Sequence, residues 1–558
     1  MAKRTIVQIM NDFYSVLVKP VNQCFYSLLI LNLVSNYSCC FYNSCTMSIV
    51  LIITALSTVV AYFESLVYYI LPYRWIKSLY MFLLVTLHVL LCVAEYFCLI
   101  NFQKVINQDV VDIVAETRLD EIRNFVQTYM GFGDILLIII VVIVSCGVIY
   151  GISRLLSRLK NMNVLILVLL MAGLCIYART ICHFVMYKNG MSIPQLTSVT
   201  RVAYSVYVLN NKIKDIENLL FRCKKVEAVS VYGKKAPNII FVIGESYSKF
   251  HSSLYDYEYS TNPLLAKHRA DSSLAVFSDA ITTSDLTHAV MKSIFSLSKY
   301  GDSFSSSPLF PICFKEAGYR TYMYDNQYLP GNGLTFLTHK ELSNLLFDYR
   351  NMSDYTYDDE MVADIADPVH TDTPCLYVIH LKGQHYNYEN CYPESFAYFT
   401  KKDYEETRYT DEQKAVVAHY DNATRYNDYV VNSIIEKFMN TNSCIVYISD
   451  HGEEVYDVRD YMGHGNAATS PDINYQIRIP MMIYMTSAFK DGYPEVVDRI
   501  WKNRNTPIVS DDISHVLLDL AGIRTACFDS TRSFVNEKYD SGRRRVVLKS
   551  IDFDALHK

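Results

Sequence analysis

Two regimes of hydrophobic patterning divide the chain near residue 190. Before it, apolar residues run in long blocks. Five blocks have spanning length, near 22–41, 46–71, 76–101, 133–152 and 163–187, because about 20 apolar residues in a helix cross a hydrocarbon core. Asn32 and Asn36 make the first the weakest. Residues 102–132 differ: Val110, Val114, Ile122, Phe125 and Val126 recur at roughly helical spacing, with Asp112, Glu116, Arg123 and Asn124 between them. That pattern predicts a helix lying on a bilayer surface. Residues 193–224 repeat it with Val199, Val202, Val206, Ile213, Ile216 and Leu220, predicting a second surface or bridging helix.

From about residue 236 short apolar runs replace the blocks. Asn238 to Ile243, Thr321 to Tyr324, Leu376 to His380 and Cys444 to Ile448 read as buried strands. Helical patterns near 287–298, 308–317, 413–438 and 509–521 separate or follow them. Such alternation predicts a mostly parallel sheet covered on both faces. The expected fold class is therefore α/β, with a five-helix transmembrane domain over 1–190, a bridging helix and linker over 191–235 and an α/β/α domain over 236–558.

Composition changes this picture little. Charge is nearly balanced, 51 Lys+Arg against 57 Asp+Glu, and no basic tract argues for nucleic acid. The distribution of charge matters more. Lys3, Arg4, Arg74, Lys77, Arg154, Arg158 and Lys160 fall in alternate short loops, which predicts a cytoplasmic N-terminus and, after five crossings, an external C-terminal half. Fifteen cysteines show no CxxC or CxxH spacing, so neither a structural zinc knuckle nor a disulfide framework is imposed. No small-residue cleavage site follows a short apolar core, so a removable signal peptide is not expected.

The candidate chemistry lies just past the strands. Gly244-Glu245-Ser246 follows the first, His380 and Gly383-Gln384-His385 follow another, and Ser449-Asp450-His451-Gly452 follows a third, with His464 soon after. Ligands in open α/β sheets bind beyond the carboxyl ends of the strands. Two carboxylates with imidazole suit Zn²⁺ or Mn²⁺ better than calcium. Thr282, Thr283, Ser284 and Thr287 precede an apolar helix whose first turn would favour a phosphate, and Thr287 would sit at or just before that turn.

Taken in order, VIGES at 242–246, DAITTSDLTHAVMKSIFSL at 279–297, YDNQ at 324–327, HLKGQHYNYENCYP at 380–393, SDHGEEVYD at 449–457 and MGHGN at 462–466 resemble the membrane phosphoethanolamine transferases of the alkaline phosphatase/sulfatase superfamily. The resemblance spans nearly the whole chain, and HGEEVYD looks closest to the branch that modifies lipopolysaccharide core. It implies a sulfatase-like catalytic domain that is periplasmic, on a multi-pass protein of a bacterial inner membrane. It implies Glu245, Thr287, Asp450 and His451 as ligands of one tight Zn²⁺, with further weaker zinc allowed, and Thr287 as the nucleophile. His385 and His464 would hold the substrate phosphate, and Glu116 would meet the donor's amine. The donor would be phosphatidylethanolamine, the acceptor a lipopolysaccharide (lipid A or core) or related envelope glycan, and the enzyme a monomer. Two family features are missing: Gln327-Tyr328-Leu329-Pro330-Gly331 offers no phosphate-site lysine, and the bracing cysteine pairs of some relatives are not evident.

Three other readings compete. A glycerophosphotransferase of the lipoteichoic acid synthase type would use phosphatidylglycerol with the same architecture. A sulfatase is disfavoured, since no Cys/Ser-x-Pro-x-Arg segment is present to mature into formylglycine. A sensor with a dead catalytic domain would have lost metal positions, yet the acid, Thr and Asp-His set is complete.

Overall fold

The computed structural model describes residues 12, 14–42, 47–102, 105–107, 110–111, 114, 132–159, 162–187, 197–327, 337–351, 353–366, 373–404 and 408–557. Chain contacts divide it into two compact units, Met1–Asn211 and Lys212–Lys558.

The first unit is helical. α1 (Gln23–Tyr42), α2 (Met47–Ile70), α3 (Arg74–Phe102), α4 (Phe132–Leu156) and α5 (Met162–Tyr187) coincide with the five apolar blocks. Among the described residues, three helices are long and apolar enough to cross a membrane: Met47–Ile70, Arg74–Ile100 and Met162–Arg179. α1 packs against α2, α3 and α4, and α2 against α5. Phe25, Leu28, Val59 and Ile166 form the centre of this packing. α2 and α5 approach closely at Gly173, where a Cβ would lie 2.4 Å from the Ala55 carbonyl oxygen. Small residues permit such approaches between helices in a membrane.

The two asparagines that interrupt the first apolar block serve as ties. Asn32 Nδ2 donates to Glu64 Oε2 at 3.3 Å, and His88 Nε2 lies 2.9 Å from Glu64 Oε1. Asn36 Oδ1 accepts from both the backbone N–H and the hydroxyl of Ser198, each at 2.7 Å. Ser198 opens α6 (Ser198–Cys223), the helix expected over 193–224. Arg201 of α6 pairs with Glu95 of α3, and both side chains are buried.

The second unit is built on a seven-stranded sheet. Its strands in chain order are β1 (Asn238–Gly244), β2 (Leu274–Val276), β3 (Arg320–Asp325), β4 (Tyr349–Arg350), β5 (Cys375–His380), β6 (Ser443–Ser449) and β7 (Met481–Met485). Their spatial order is β2-β7-β6-β1-β5-β3-β4. The five strands from β6 to β4 are parallel; β7 runs antiparallel to both β6 and β2. β1 lies at the centre and is covered on both faces, which explains its unbroken apolar run. Ile239, Phe241 and Ile243 face one core, shared with Val516 and Leu517 of helix α10 (Ile513–Leu520) and with Leu219 and Leu220 of α6. Ile240 and Val242 face the other, shared with Tyr426, Val430 and Ile434 of α9 (Asp411–Phe438). Two shorter helices bear on function: α7 (Pro263–Ala270) and α8 (Thr287–Phe295).

The register of the parallel strands delivers the site. Ile243 pairs with His380 and Gly244 with Ser449, so the residues that follow β1 and β6 leave the sheet side by side. The Asp450 N–H donates to the Gly244 carbonyl at 2.9 Å, and the Gln384 N–H to the Glu245 carbonyl at 3.0 Å.

Candidate metal and nucleophile centre

Glu245, Asp450 and His451 converge at this edge, all fully buried, with one ligand atom from each within 4.8 Å of the others. Ser246 holds the turn after β1 open. It adopts φ 55°, its N–H donates to Asp450 Oδ1 at 3.0 Å, and its hydroxyl donates to Glu245 Oε1 at 2.8 Å. Gly383 must be glycine: its φ is 52°, and a Cβ would lie 2.8 Å from the Glu245 carbonyl oxygen.

Thr287 is the first residue of α8, and no side chain caps that helix. Its hydroxyl lies 3.2 Å from Glu245 Oε2 and 3.2 Å from His451 Nε2. The other candidate hydroxyls differ. Thr283 is fully buried, with its hydroxyl 2.9 Å from that of Ser293, and Thr282 and Ser284 are also buried. Thr287 is the candidate that stands beside the acid and imidazole groups.

The donor set fits a divalent metal. His451 Nδ1 lies 2.9 Å from the Gly452 carbonyl, which only accepts, so Nδ1 carries the proton and Nε2 is the ligating atom. Nε2 is 3.2 Å from Asp450 Oδ2 and 3.4 Å from Glu245 Oε1. Asp450 Oδ2 is buried without a hydrogen-bond partner, and such an atom is costly unless something positive meets it. Burial, then the neighbouring Glu245 carboxylate, pushes the Asp450 carboxyl up to about 8. Burial works against a charged His451, but the Asp450 and Glu245 carboxylates outweigh it and raise the imidazole to about 10. The pocket therefore selects positive charge.

His464 borders this cluster, its ring centroid 4.0 Å from that of His451. Its Nδ1 lies 2.7 Å from Glu453 Oε2, and Tyr388 donates its hydroxyl to the other Glu453 oxygen. His451, Glu453 and His464 form a second group of metal-ligand type. His385 sits in the turn after β5, half-buried, with its N–H on the Lys382 carbonyl. His380, fully buried at the end of β5, has its Nδ1 3.1 Å from Asp325 Oδ1. Glu116 lies outside the described residues, as does 328–336.

Sequence reasoning assigned no role to two further residues. Gln327 Nε2 donates to Glu245 Oε2 at 2.9 Å and to the Leu381 carbonyl at 2.8 Å. Glu453 orients His464. The second was open to inference from the doubled acid of His451-Gly452-Glu453-Glu454. Gln327 stands in the sequence only as the end of YDNQ, with nothing to mark its contact with Glu245.

The chain matches known proteins over this same region. The sulfatase family model matches residues 237–523, just over half of the chain. Phosphoethanolamine transferase EptC of Escherichia coli is 30% identical over 344 residues, 58% of this chain and 58% of that protein. Phosphoethanolamine transferase EptA of Helicobacter pylori is 26% identical over 287 residues, 50% of this chain and 52% of that one. The matched stretch thus spans a little over half the length of these relatives. Among solved structures, the C-terminal periplasmic domain of the Escherichia coli EptC in complex with zinc superposes with a TM-score of 0.51 at 26% identity, covering 59% of this chain and 96% of that one. The integral membrane EptA of Neisseria meningitidis shares the fold over 91% of this chain and 97% of its own, with a TM-score of 0.63 at 17% identity. With its alternating sheet, its strand-end acids and a family match across both, the chain belongs to the sulfatase family.

Proposed function

We propose that the protein is a zinc-dependent phosphoethanolamine transferase, moving the group from phosphatidylethanolamine to a lipopolysaccharide or related envelope glycan through a phosphothreonine at Thr287. The observation that carries this reading is the Thr287 hydroxyl at 3.2 Å from both Glu245 and His451. Similarity to the named transferases supports the group transferred. The apolar helices support a multi-pass inner-membrane protein. Its catalytic unit would be periplasmic, its N-terminus cytoplasmic and the enzyme a monomer.

Glu245, Asp450, His451 and Thr287 would hold the zinc, which when bound lowers the pKa of a coordinated hydroxyl and neutralises phosphoryl charge. The Thr287 hydroxyl gives up its proton towards Glu245, to which it already donates. Its oxygen bonds to phosphorus, and the ester bond to diacylglycerol breaks. The uncapped first turn of α8 faces the phosphate with N–H groups. His385 holds a phosphate oxygen. His464, oriented through Nδ1 by Glu453, gives its Nε2 proton to the leaving oxygen. An acceptor hydroxyl then gives its proton to His464 Nε2 as its oxygen bonds to phosphorus, the bond to the Thr287 oxygen breaks, and that oxygen takes back the proton left on Glu245. Glu116 would pair with the donor's ammonium.

Incubation with phosphatidylethanolamine and no acceptor should leave phosphoethanolamine on Thr287 and release diacylglycerol in a burst. Thr287→Ala should abolish both. Peptide mapping that finds the adduct on Thr283 or Ser284 overturns the assignment. A burst with phosphatidylglycerol in place of phosphatidylethanolamine would give the donor as a glycerophosphate source instead.

A further inference from the structure

At the outer edge of the sheet, beyond β2, a cleft of about 480 Å³ opens between the turn after β1 and the chain around Arg504. Lys249, Arg269 and Arg504 line it, together with Tyr255, Ser278 and Trp501. None of these residues belongs to the metal and nucleophile centre.

The cleft lining carries three cations, Lys249, Arg269 and Arg504, against one acid, Asp256. Among the described residues, none of the three cations lies within ion-pair distance of a carboxylate. Lys249 donates to the Ser278 carbonyl and sits over the Tyr255 ring at 4.9 Å. Arg269 donates to the Leu254 carbonyl, and the Arg504 guanidinium lies 5.2 Å from the Trp501 ring centre. Burial, helped by Arg478, holds the Lys249 ammonium below the ordinary lysine range. The nearby carboxylates of Asp279 and Asp256 act the other way on Lys249.

Its polar lining is mixed with flat apolar surface. Ser272 lines it beside Trp501, as do Ser278 and Asn505, whose side chains are joined by a 3.0 Å hydrogen bond from the Ser278 hydroxyl to Asn505 Oδ1. Cations for an anion, with small polar groups and the exposed part of an indole for an adjoining ring, together describe a phosphorylated or carboxylated sugar. A bare phosphate would use only the cations.

The position suits a substrate site. Lys249 follows Glu245 by four residues, and Ser278 precedes Thr287 by nine, so both walls are close in sequence to the catalytic centre. β2 lies two strands from β6, roughly 10 Å by strand spacing. The cleft and the centre thus lie on the same unit, and a glycan of several sugar residues anchored in the cleft would extend along the sheet towards Thr287.

We infer that this cleft binds an anionic group and adjoining ring of a glycan, and so holds the acceptor while another part of it is modified. The inference rests on the transferase reading for its purpose, but not for the binding itself.

The test measures binding of a hexose 1-phosphate to the full-length protein in neutral detergent, beside inorganic phosphate and the neutral hexose. The wild type should bind the sugar phosphate more tightly than either. Arg504→Ala and Arg269→Ala should each weaken it by about tenfold, the loss of one charged contact, whereas Arg544→Ala, on an exposed arginine elsewhere, should not. Melting curves confirm that the variants are folded. Equal affinity in all variants overturns the site, as does equal affinity for sugar phosphate and free phosphate. Loss confined to binding of phosphatidylglycerol vesicles, with sugar phosphate untouched, overturns it in favour of a lipid surface. In a transfer assay the same two variants should raise the KM for a phosphorylated glycan acceptor more than they lower kcat. A wild type that transfers nothing refutes the transferase reading, while the binding result stands or falls by itself.

Discussion

The Gln327 carboxamide directs its N–H groups to two fixed partners, Glu245 Oε2 at 2.9 Å and the Leu381 carbonyl at 2.8 Å. It thereby sets the plane of a fully buried carboxylate that also accepts from Thr287 and Ser246. A hydrogen bond to a charged group contributes about 1.5–3 kcal/mol. Gln327→Leu should lower kcat/KM by roughly ten- to a hundredfold, while Gln327→Glu should do worse by adding a like charge. Steady-state release of diacylglycerol checks this, and wild-type rates in both variants would make the contact incidental.

Asp450→Asn keeps the shape of the side chain and removes a charge from the cluster with Glu245 and His451. Bound zinc in the purified protein should fall well below wild-type occupancy, and transfer should fall with it. Chelation of the wild type should likewise abolish activity, with recovery on adding zinc. Elemental analysis alongside the assay decides the point. Full zinc occupancy with full activity in Asp450→Asn would remove Asp450 from the ligand set.

The strand ends were legible because a buried strand must stop where polar residues begin. Asp450-His451 and Glu245 stand directly after runs that are buried from Ser443 and from Ile239 onward. β7 was not legible: Met481 to Met485 carries one β-branched residue and follows Pro480 without a turn signal. The role of Gln327 was hidden for a related reason. It lies two residues beyond β3, and only the parallel pairing of β3 with β5 carries it to Glu245. Asn32 and Asn36 look like defects in a spanning segment when read along the chain. Their partners, Glu64, His88 and Ser198, lie up to 162 residues away. Periodicity records which face is apolar, but not which polar atoms meet across it.

A buried ion cluster makes stability depend on pH. His251 Nδ1 lies 2.8 Å from Asp421 Oδ1, and its Nε2 lies 3.4 Å from Asp457 Oδ1. Tyr257 and Tyr404 donate their hydroxyls to the other Asp421 oxygen. Burial opposes the charged imidazole, but the two carboxylates outweigh it and raise His251 to about 10. The unfolded value is about 6.5. Because the folded value is the higher, this stabilisation is complete below about pH 6.5 and is lost as the pH rises towards 10. The melting temperature of the catalytic unit within the full chain should fall across that window. His251→Asn should cost about 3 kcal/mol near pH 6 and flatten the slope. Parallel slopes for the two proteins would place the titrating group elsewhere.

The triad of Asn32, Glu64 and His88 ties α1, α2 and α3 together in the apolar unit. Asn32 and His88 are fully buried, and Glu64 lies 2.9 Å from His88 Nε2. In a bilayer, lipid offers no replacement partner, so the cost of removing one member exceeds the cost of removing all. His88→Leu leaves the Glu64 carboxylate with one weak amide contact and should destabilise the helices by about 3–5 kcal/mol. Glu64→Met leaves an imidazole beside Asn32 and should cost less, since a neutral ring can be buried more cheaply than a carboxylate. The double variant His88→Leu with Glu64→Met should be more stable than His88→Leu alone. Thermal denaturation of all four proteins in detergent completes the cycle. Additive losses, with the double variant the least stable, would mean that the two side chains act independently and that packing, not their pairing, holds these helices.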